Sequence, residues 1–456
     1  MARRILLNAF DMTVPVNQSP GLWRHPEDQS ARYADPDYWT ELARTIEDGG
    51  FHGIFFADVL GQYDVYAGSA DQATRSGVQF PQLDPMLVVP AMAAATERLG
   101  FGVTSSVTYE NPYLLARRFA TLDHLTRGRI AWNIVTSYQD SAARNLGLGR
   151  QLGHDERYDL AEEFLDVVYQ LWEGSFADDA VRFDREAGVV TDPERVRGIA
   201  HEGERFSVPG PALVAPSPQR TPLLFQAGAS PRGRAFAIKH AEAIFFSGYA
   251  PQVTRQWVDA VRDGLEAEGR DRGDVAVFNM ATLVVAETDE AAQEKLRGYE
   301  ELVDEQGALA LFAGWTGVDL SQADPDAPLD YVATDGNRSA LAAFTTMDPT
   351  RTWTPRELGR FVGIGGRGPV IAGSPTTVVD ELERWVEVAD IDGFNLTAVT
   401  RPGGFADVAR LVSPELRRRG LLAEPRGTFR DTVLGRGNRL APDHYGAHFA
   451  LAPAAH

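Results

Sequence analysis

The sequence predicts a (β/α)8 barrel, on three observations. Apolar runs of strand length alternate with amphipathic runs of helix length through eight units. No dinucleotide fingerprint follows the first strand, and an open doubly wound sheet seldom runs to eight regular units. The 456 residues exceed an ordinary single domain but suit a barrel with insertions.

Residues 5–10 form the first strand. Asp35-Pro36-Asp37 then starts a helix, because a carboxylate caps free N–H groups and proline fits a first turn. That helix runs through Tyr38, Leu42 and Ile46 and stops at Gly49-Gly50. Residues 51–59 are the second strand, which carries Asp58, and Asp84-Pro85 starts the next helix. Residues 100–108 make the third strand, 113–125 a helix and 129–136 the fourth strand. A helix beginning near His154 continues the pattern, with apolar residues at Leu160, Phe164, Val168 and Leu171. Strands at 222–226, 243–246 and 275–285 follow, with helices over 230–241, 251–268 and 289–303. A helix over 376–389 leads to the eighth strand, 393–399, and a last helix covers 405–418.

Residues 1–422 therefore read as one barrel domain, with insertions near 61–81, 173–219 and 307–373. Segments of that length exceed mere connectors and are expected to cover or shape a binding site. The run Gly363-Ile364-Gly365-Gly366-Arg367-Gly368-Pro369 lacks the Lys-Ser/Thr ending of a phosphate loop and reads as the hinge of a mobile lid. Residues 423–456 have weak periodicity and several prolines and glycines. They read as an extension packed across the surface or onto a neighbouring subunit.

Composition narrows the function. There are 64 acidic against 44 basic residues, a formal charge of −20, which argues against nucleic acid and anionic membrane surfaces. With no cysteine, disulfides, thiolate chemistry and Cys-ligated metals are excluded, and no His-x-x-x-His pair falls at the strand ends. The N-terminal apolar run is too short for a signal peptide and no segment has the length of a membrane span, so a soluble cytoplasmic protein is expected.

Two stretches carry the strongest local chemistry. His154 and Tyr158 lie four residues apart and share one face at a helix start. Gln226-Ala227-Gly228-Ala229-Ser230-Pro231-Arg232-Gly233-Arg234 follows an apolar run and opens another helix. Free backbone N–H groups, glycine and a hydroxyl at a helix start suit a phosphate, although Asp155 and Ser230 also suit plain capping. Function in a barrel gathers at the C-terminal ends of the strands. Asp58, Thr104, Ser105, Ser106, Asn133, Thr136 and Ser137 fall there, among Phe10, Phe56, Trp132, Phe246 and Met280. Such a pocket suits a planar organic cofactor. Asp58 is placed to reach the centre or to pin the next loop, and Asn133 to face the pocket or to bridge strands. The pocket has no Gly-x-Ser-x-Gly elbow and no acid–base pair, so a bound cofactor is expected to carry the chemistry.

Longer motifs sharpen this picture. They are Gly53-Ile54-Phe55-Phe56-Ala57-Asp58, Gly102-Val103-Thr104-Ser105-Ser106, Asn111-Pro112-Tyr113 and Gly128-Arg129-Ile130-Ala131-Trp132-Asn133-Ile134-Val135-Thr136-Ser137, with the His154 and Ser230 helix starts. Through them nearly the whole chain resembles the bacterial-luciferase-like flavin monooxygenases, and among these the nitrilotriacetate, EDTA and dibenzothiophene-sulfone group. The resemblance implies a (β/α)8 enzyme that takes reduced FMN from a separate NAD(P)H:flavin reductase. It would use O2 to oxygenate a small organic substrate, with C–N or C–S cleavage as one outcome. Asp58, Thr104 and Ser137 would lie along the isoalloxazine and ribityl chain. His154, Tyr158 and Ser230, with backbone N–H groups around Gly228 and Ala229, would hold the phosphate. Thr104 and Asn133 would position oxygen. Phe10, Phe56 and Phe246 would line the substrate pocket. The acidic net charge does not suggest an anionic substrate, but a local arginine such as Arg75 or Arg367 could still bind one. A homodimer or homotetramer is expected. Two other readings are a deazaflavin-dependent dehydrogenase on the same barrel and a flavin-binding protein without turnover.

Overall fold

The computed structural model describes residues 4–451 except 229, 333, 335 and 349, and omits the side chain of 339. Among the described residues eight parallel strands close into a barrel. They are β1 (Leu6–Asp11), β2 (Gly53–Phe56), β3 (Gly100–Ser106), β4 (Ile130–Val135), β5 (Leu223–Gln226), β6 (Ala243–Phe246), β7 (Ala276–Val285) and β8 (Gly393–Thr397). Each strand pairs with its neighbours in chain order, and β8 pairs with both β7 and β1 to close the ring. A short extra strand, Val370–Gly373, extends the outer end of β7. The fold is the expected (β/α)8 barrel.

The helices around it are α1 (Pro36–Asp48), α2 (Pro85–Ala94), α3 (Pro112–Leu125), α4 (His154–Gly174), α5 (Pro231–His240), α6 (Pro251–Ala267) and α7 (Asp289–Glu300). Then come α8 (Glu305–Thr316), α9 (Arg338–Thr345), α10 (Pro355–Val362) and α11 (Pro375–Ala389). Asp35, Asp84 and Asn111 accept from first-turn N–H groups, each followed by proline, so the starts of α1, α2 and α3 are written locally. No helix among the described residues is long and apolar enough to cross a membrane.

Strand alternation divides the apolar residues between two faces. Leu6, Phe10, Phe55, Phe225, Phe245, Phe278 and Met280 pack together inside the barrel. Trp132 faces outward against Phe119, Phe164 and Trp172. Phe56 meets Trp39 of α1, and Phe246 meets Trp257 of α6. The expectation that Phe56, Trp132 and Phe246 line the pocket is therefore corrected. β2 and β6 each carry two adjacent phenylalanines, and it is Phe55 and Phe245 that point inward.

The insertions have structure of their own. The segment after α4 forms two small hairpins, Val181–Asp184 with Val189–Thr191 and His201–Glu202 with Ser207–Val208. The 61–81 segment and α8 to α10 share a second hydrophobic core built on Tyr63, Phe312, Trp315, Phe344, Trp353 and Leu358. Tyr63 packs against Gly314, where a Cβ would come 2.1 Å from its ring. The glycine run 363–369 also differs from expectation. Its glycines are buried rather than forming an exposed hinge. At Gly365 a Cβ would collide with Thr282 Oγ1 at 1.8 Å, so close approach explains the glycine.

The tail closes the bottom of its own barrel. Phe429 sits against Gly53 and Gly100, where a Cβ would come 2.6 and 2.3 Å from its ring. Arg430, fully buried, bonds Glu242 Oε1 at 2.7 Å and donates to the carbonyls of Thr221 and Pro222 at 2.9 and 3.1 Å. Burial works to raise the Glu242 pKa, but Arg430 overrides it and holds the carboxyl below its usual range. Removing one partner of such a pair strands the other charge. Arg430→Met should destabilise the chain by about 3–5 kcal/mol in urea unfolding, and adding Glu242→Gln should restore part of the loss. A single variant within about 1 kcal/mol of the parent would refute this role for the pair.

Candidate active site

A cavity of about 230 Å3 opens at the C-terminal ends of the strands, above Phe10, Phe55 and Phe245. A wider groove of about 1120 Å3 shares Asp58, Thr104 and Ser137 with it and runs outward past α2 and α3. Register explains the polar set at the mouth. Thr104 stands opposite Asn133, and Asn133 opposite Phe225, so the two polar side chains and the phenylalanine share the inner face.

Thr104 and Asn133 are bonded to each other. Asn133 Nδ2 donates to Thr104 Oγ1 at 2.8 Å, and Thr104 Oγ1 donates to the Phe56 carbonyl at 2.7 Å. The Thr104 proton is thus committed to the backbone, which alters the expectation that both groups donate to bound oxygen. Asn133 keeps a second N–H, and its Oδ1 is buried without a partner. Ser137, with φ +55°, donates to Ser106 Oγ at 2.8 Å just past the end of β4.

Asp58 accepts from Gln82 and lines both cavities. Burial, followed by repulsion from Asp84, pushes its pKa up to about 7.

The two helix starts meet. His154, the first residue of α4, contacts Ser230 Oγ through Nε2 at 3.3 Å, and its Nδ1 lies 2.7 Å from Asp155 Oδ1. Tyr158, one turn on, packs against His154 with ring centroids 5.3 Å apart and the planes tilted by 57°. Ser230 caps α5 by accepting from Gly233 N at 3.1 Å. Gly228 and Gly233 admit nothing larger, since a Cβ on either would lie 3.1 or 2.6 Å from the Tyr158 hydroxyl. Gln226 accepts from Gly228 N at 2.7 Å and so fixes the loop between β5 and α5. Ala229 lies outside the described residues.

Further cavity residues escaped the sequence reading: Tyr63, Gln79, Tyr138, Arg157 and Trp315, with Gln226 given no role of its own. Gln226 ends β5 and Tyr138 lies three residues past β4, and such strand-end positions are a usable signal. Tyr63, Gln79 and Trp315 come from the insertions, where no periodicity places them. Arg75 is exposed on the helix Asp71–Ser76 and does not line the cavity, whereas Arg367 does.

The Asp58 environment makes a pH prediction. Its folded pKa is raised, so its contribution to stability is fully present below the unfolded value near 4 and is lost as pH rises to about 7. Asp58→Asn should therefore gain stability relative to the parent between pH 4 and pH 8, by on the order of 2–4 kcal/mol. Melting of both ligand-free proteins across that range checks it, and a difference that stays flat would refute the raised pKa.

Known proteins share this fold and sequence over nearly the full length. Residues 19–390 match the family model for luciferase-like monooxygenases. The dimethyl-sulfide monooxygenase of Hyphomicrobium sulfonivorans is 47% identical, over 98% of this chain and 94% of that protein. Its crystal structure superposes with a TM-score of 0.91, covering 98% of this chain and 96% of that one. The long-chain alkane monooxygenase of Geobacillus thermodenitrificans is 44% identical over 98% of both chains. A crystal structure of a riboflavin lyase with modified FMN and riboflavin matches at 36% identity and a TM-score of 0.90, covering 99% of this chain and all of that one. By sequence, length and fold, the chain is an oxidoreductase that belongs to the luciferase-like monooxygenase family.

Proposed function

We propose that the chain is the oxygenase half of a two-component system. It would receive reduced FMN from a separate NAD(P)H:flavin reductase and use O2 to oxygenate a small organic molecule. The observation that carries this reading is the junction of His154, Tyr158 and Ser230 at two helix starts on the edge of a strand-end cavity. Such a junction suits a phosphate. The unfilled Asn133 Oδ1 fits a ligand that carries ring N–H donors. The modified FMN in the riboflavin lyase structure supports the same cofactor.

Reduced FMN, when bound, supplies the electrons with which O2 oxidises the substrate. His154, Tyr158 and Ser230 would bind its phosphate, whereas the Gly228 N–H is already held by Gln226. Asp58, Thr104 and Ser137 would lie along the ring and ribityl chain. Asp58, with a pKa near neutrality, can hold or release a proton at its carboxyl oxygen. Asn133, oriented by Thr104, would offer its second N–H to bound oxygen. The inner phenylalanines and the cap formed by the two insertions would exclude water. A homodimer or homotetramer is part of the proposal, read by light scattering on the assayed preparation.

Ser230→Ala or Tyr158→Phe should weaken reduced FMN binding by about 1–3 kcal/mol in an anaerobic fluorescence titration, with both variants still folded and Ser230→Ala melting lower only by the loss of its helix cap. Equal affinity in both variants would remove the phosphate assignment. The purified chain alone should leave NADH unoxidised and should take up O2 only with an added reductase and FMN. NADH turnover without the reductase, or rapid hydride transfer from a reduced deazaflavin without O2, would overturn the reading.

A second outcome concerns oxygen. Thr104→Val with Asn133→Leu should keep FMN bound yet lose substrate oxygenation, with O2 reduced wastefully to peroxide. Rapid mixing of the reduced variant with O2 reads this out. Product formation at the parental rate by a folded, flavin-bound variant would show that the pair only joins strands.

A further inference from the structure

Arg367 is left without a task by the reading above. Its turn is held tightly. Gly365 and Gly366 have φ of +78° and +91°, which favour glycine, and a Cβ on Gly368 would come 2.5 Å from the Met280 carbonyl oxygen. The Arg367 guanidinium lies 4.7 Å from the Trp315 ring centroid, and its Nε is sealed from solvent without a hydrogen-bond partner. Among the described residues no carboxylate pairs with it. The ionisable groups near enough to act on it are Tyr138 and Tyr63. Tyr63 donates to Gln79 Oε1 at 2.7 Å, so in its 3.0 Å contact with Tyr138 the proton comes from Tyr138. Both hydroxyl protons therefore run toward Gln79 and leave the cation unanswered.

Arg401, Arg430 and Arg262 face Asp11, Glu242 and Asp392, and Arg129 donates to backbone carbonyls. Arg270 shares a buried Nε without a partner, but its other nitrogens donate to the carbonyls of Ile238 and Ala241. With 64 acidic residues against 44 basic, counter-charges are plentiful in the chain. A guanidinium withdrawn from water without one is unfavourable unless a ligand supplies it. Arg367, Trp315, Tyr63, Gln79 and Tyr138 all line the strand-end cavity. The phosphate candidates His154 and Ser230 form a separate contact pair in the same cavity.

We propose that Arg367 is the receptor for an anionic group on the substrate, a carboxylate or a sulfonate, seated beside Trp315 and the Tyr63–Tyr138 pair. The proposal rests on the monooxygenase reading above and names its substrate class. A planar fork of N–H donors matches such oxyanions and distinguishes them from neutral molecules of the same shape.

The test titrates the full chain, saturated with FMN, with butyrate, propane-1-sulfonate and neutral butyramide by calorimetry. The anions should bind about tenfold or more tightly than butyramide, the scale of a charge-assisted hydrogen bond. Arg367→Met should erase the difference and Arg367→Lys should keep part of it, with melting and FMN affinity matching the parent. Equal binding of butyrate and butyramide to the parent would overturn the proposal, as would a preference that survives Arg367→Met. Loss of FMN binding in Arg367→Met would assign the arginine to the cofactor and overturn it as well. If FMN fails to bind the parent, the flavin reading falls, and the same titration without FMN still decides the role of Arg367.

Discussion

Closure of the parallel sheet is the constraint on which the rest of this molecule depends. A strand in a closed barrel is buried on both faces, so the two-residue period alone decides which side chains reach the central cavity. Thr104 and Asn133 meet at 2.8 Å because β3 and β4 pair in that register. The same register sends Val103 and Trp132 outward to the helix layer. Phe429 and the Arg430–Glu242 pair seal the opposite end, where Gly53 and Gly100 leave room for an aromatic ring. Chemistry can then gather at one mouth only.

How far the sequence could be read follows from the same physics. The barrel was legible because eight strand-like runs alternate with capped helices, and Asp-Pro and Asn-Pro steps mark several starts. His154, Tyr158 and Ser230 could be brought to helix starts by spacing and cap chemistry, and the fold brings His154 into contact with both of the others. Facing was harder. In Phe55-Phe56 and Phe245-Phe246 both residues are apolar, so hydrophobicity cannot say which one points inward. The hydrogen-bond directions of Thr104 were also hidden, because they depend on the neighbouring strand's carbonyl. Tyr63, Gln79 and Trp315 were illegible for another reason. They enter the cavity from insertions whose path is set by tertiary packing.

Electrostatics divides the mouth into unlike regions. Asp58 is kept from its usual acidity by burial and by Asp84. Arg367 stands over an aromatic ring with tyrosines for neighbours. Neither charge is neutralised by the other. A cavity that holds a near-neutral carboxyl and an unanswered guanidinium can discriminate ligands by charge at separate places, although the whole chain is strongly acidic.

The second hydrophobic core has a consequence for divergence. Residues of the 61–81 segment and of α8 to α10 are distant in sequence but pack as one body, with Tyr63 seated on Gly314. Neither segment can change its inner surface without leaving a void or a clash in the other. New substrate preferences in proteins built this way must therefore arise through paired changes in both segments. A chimera that exchanges one segment alone inherits a mismatched cap, whereas exchange of both moves the cap as a unit.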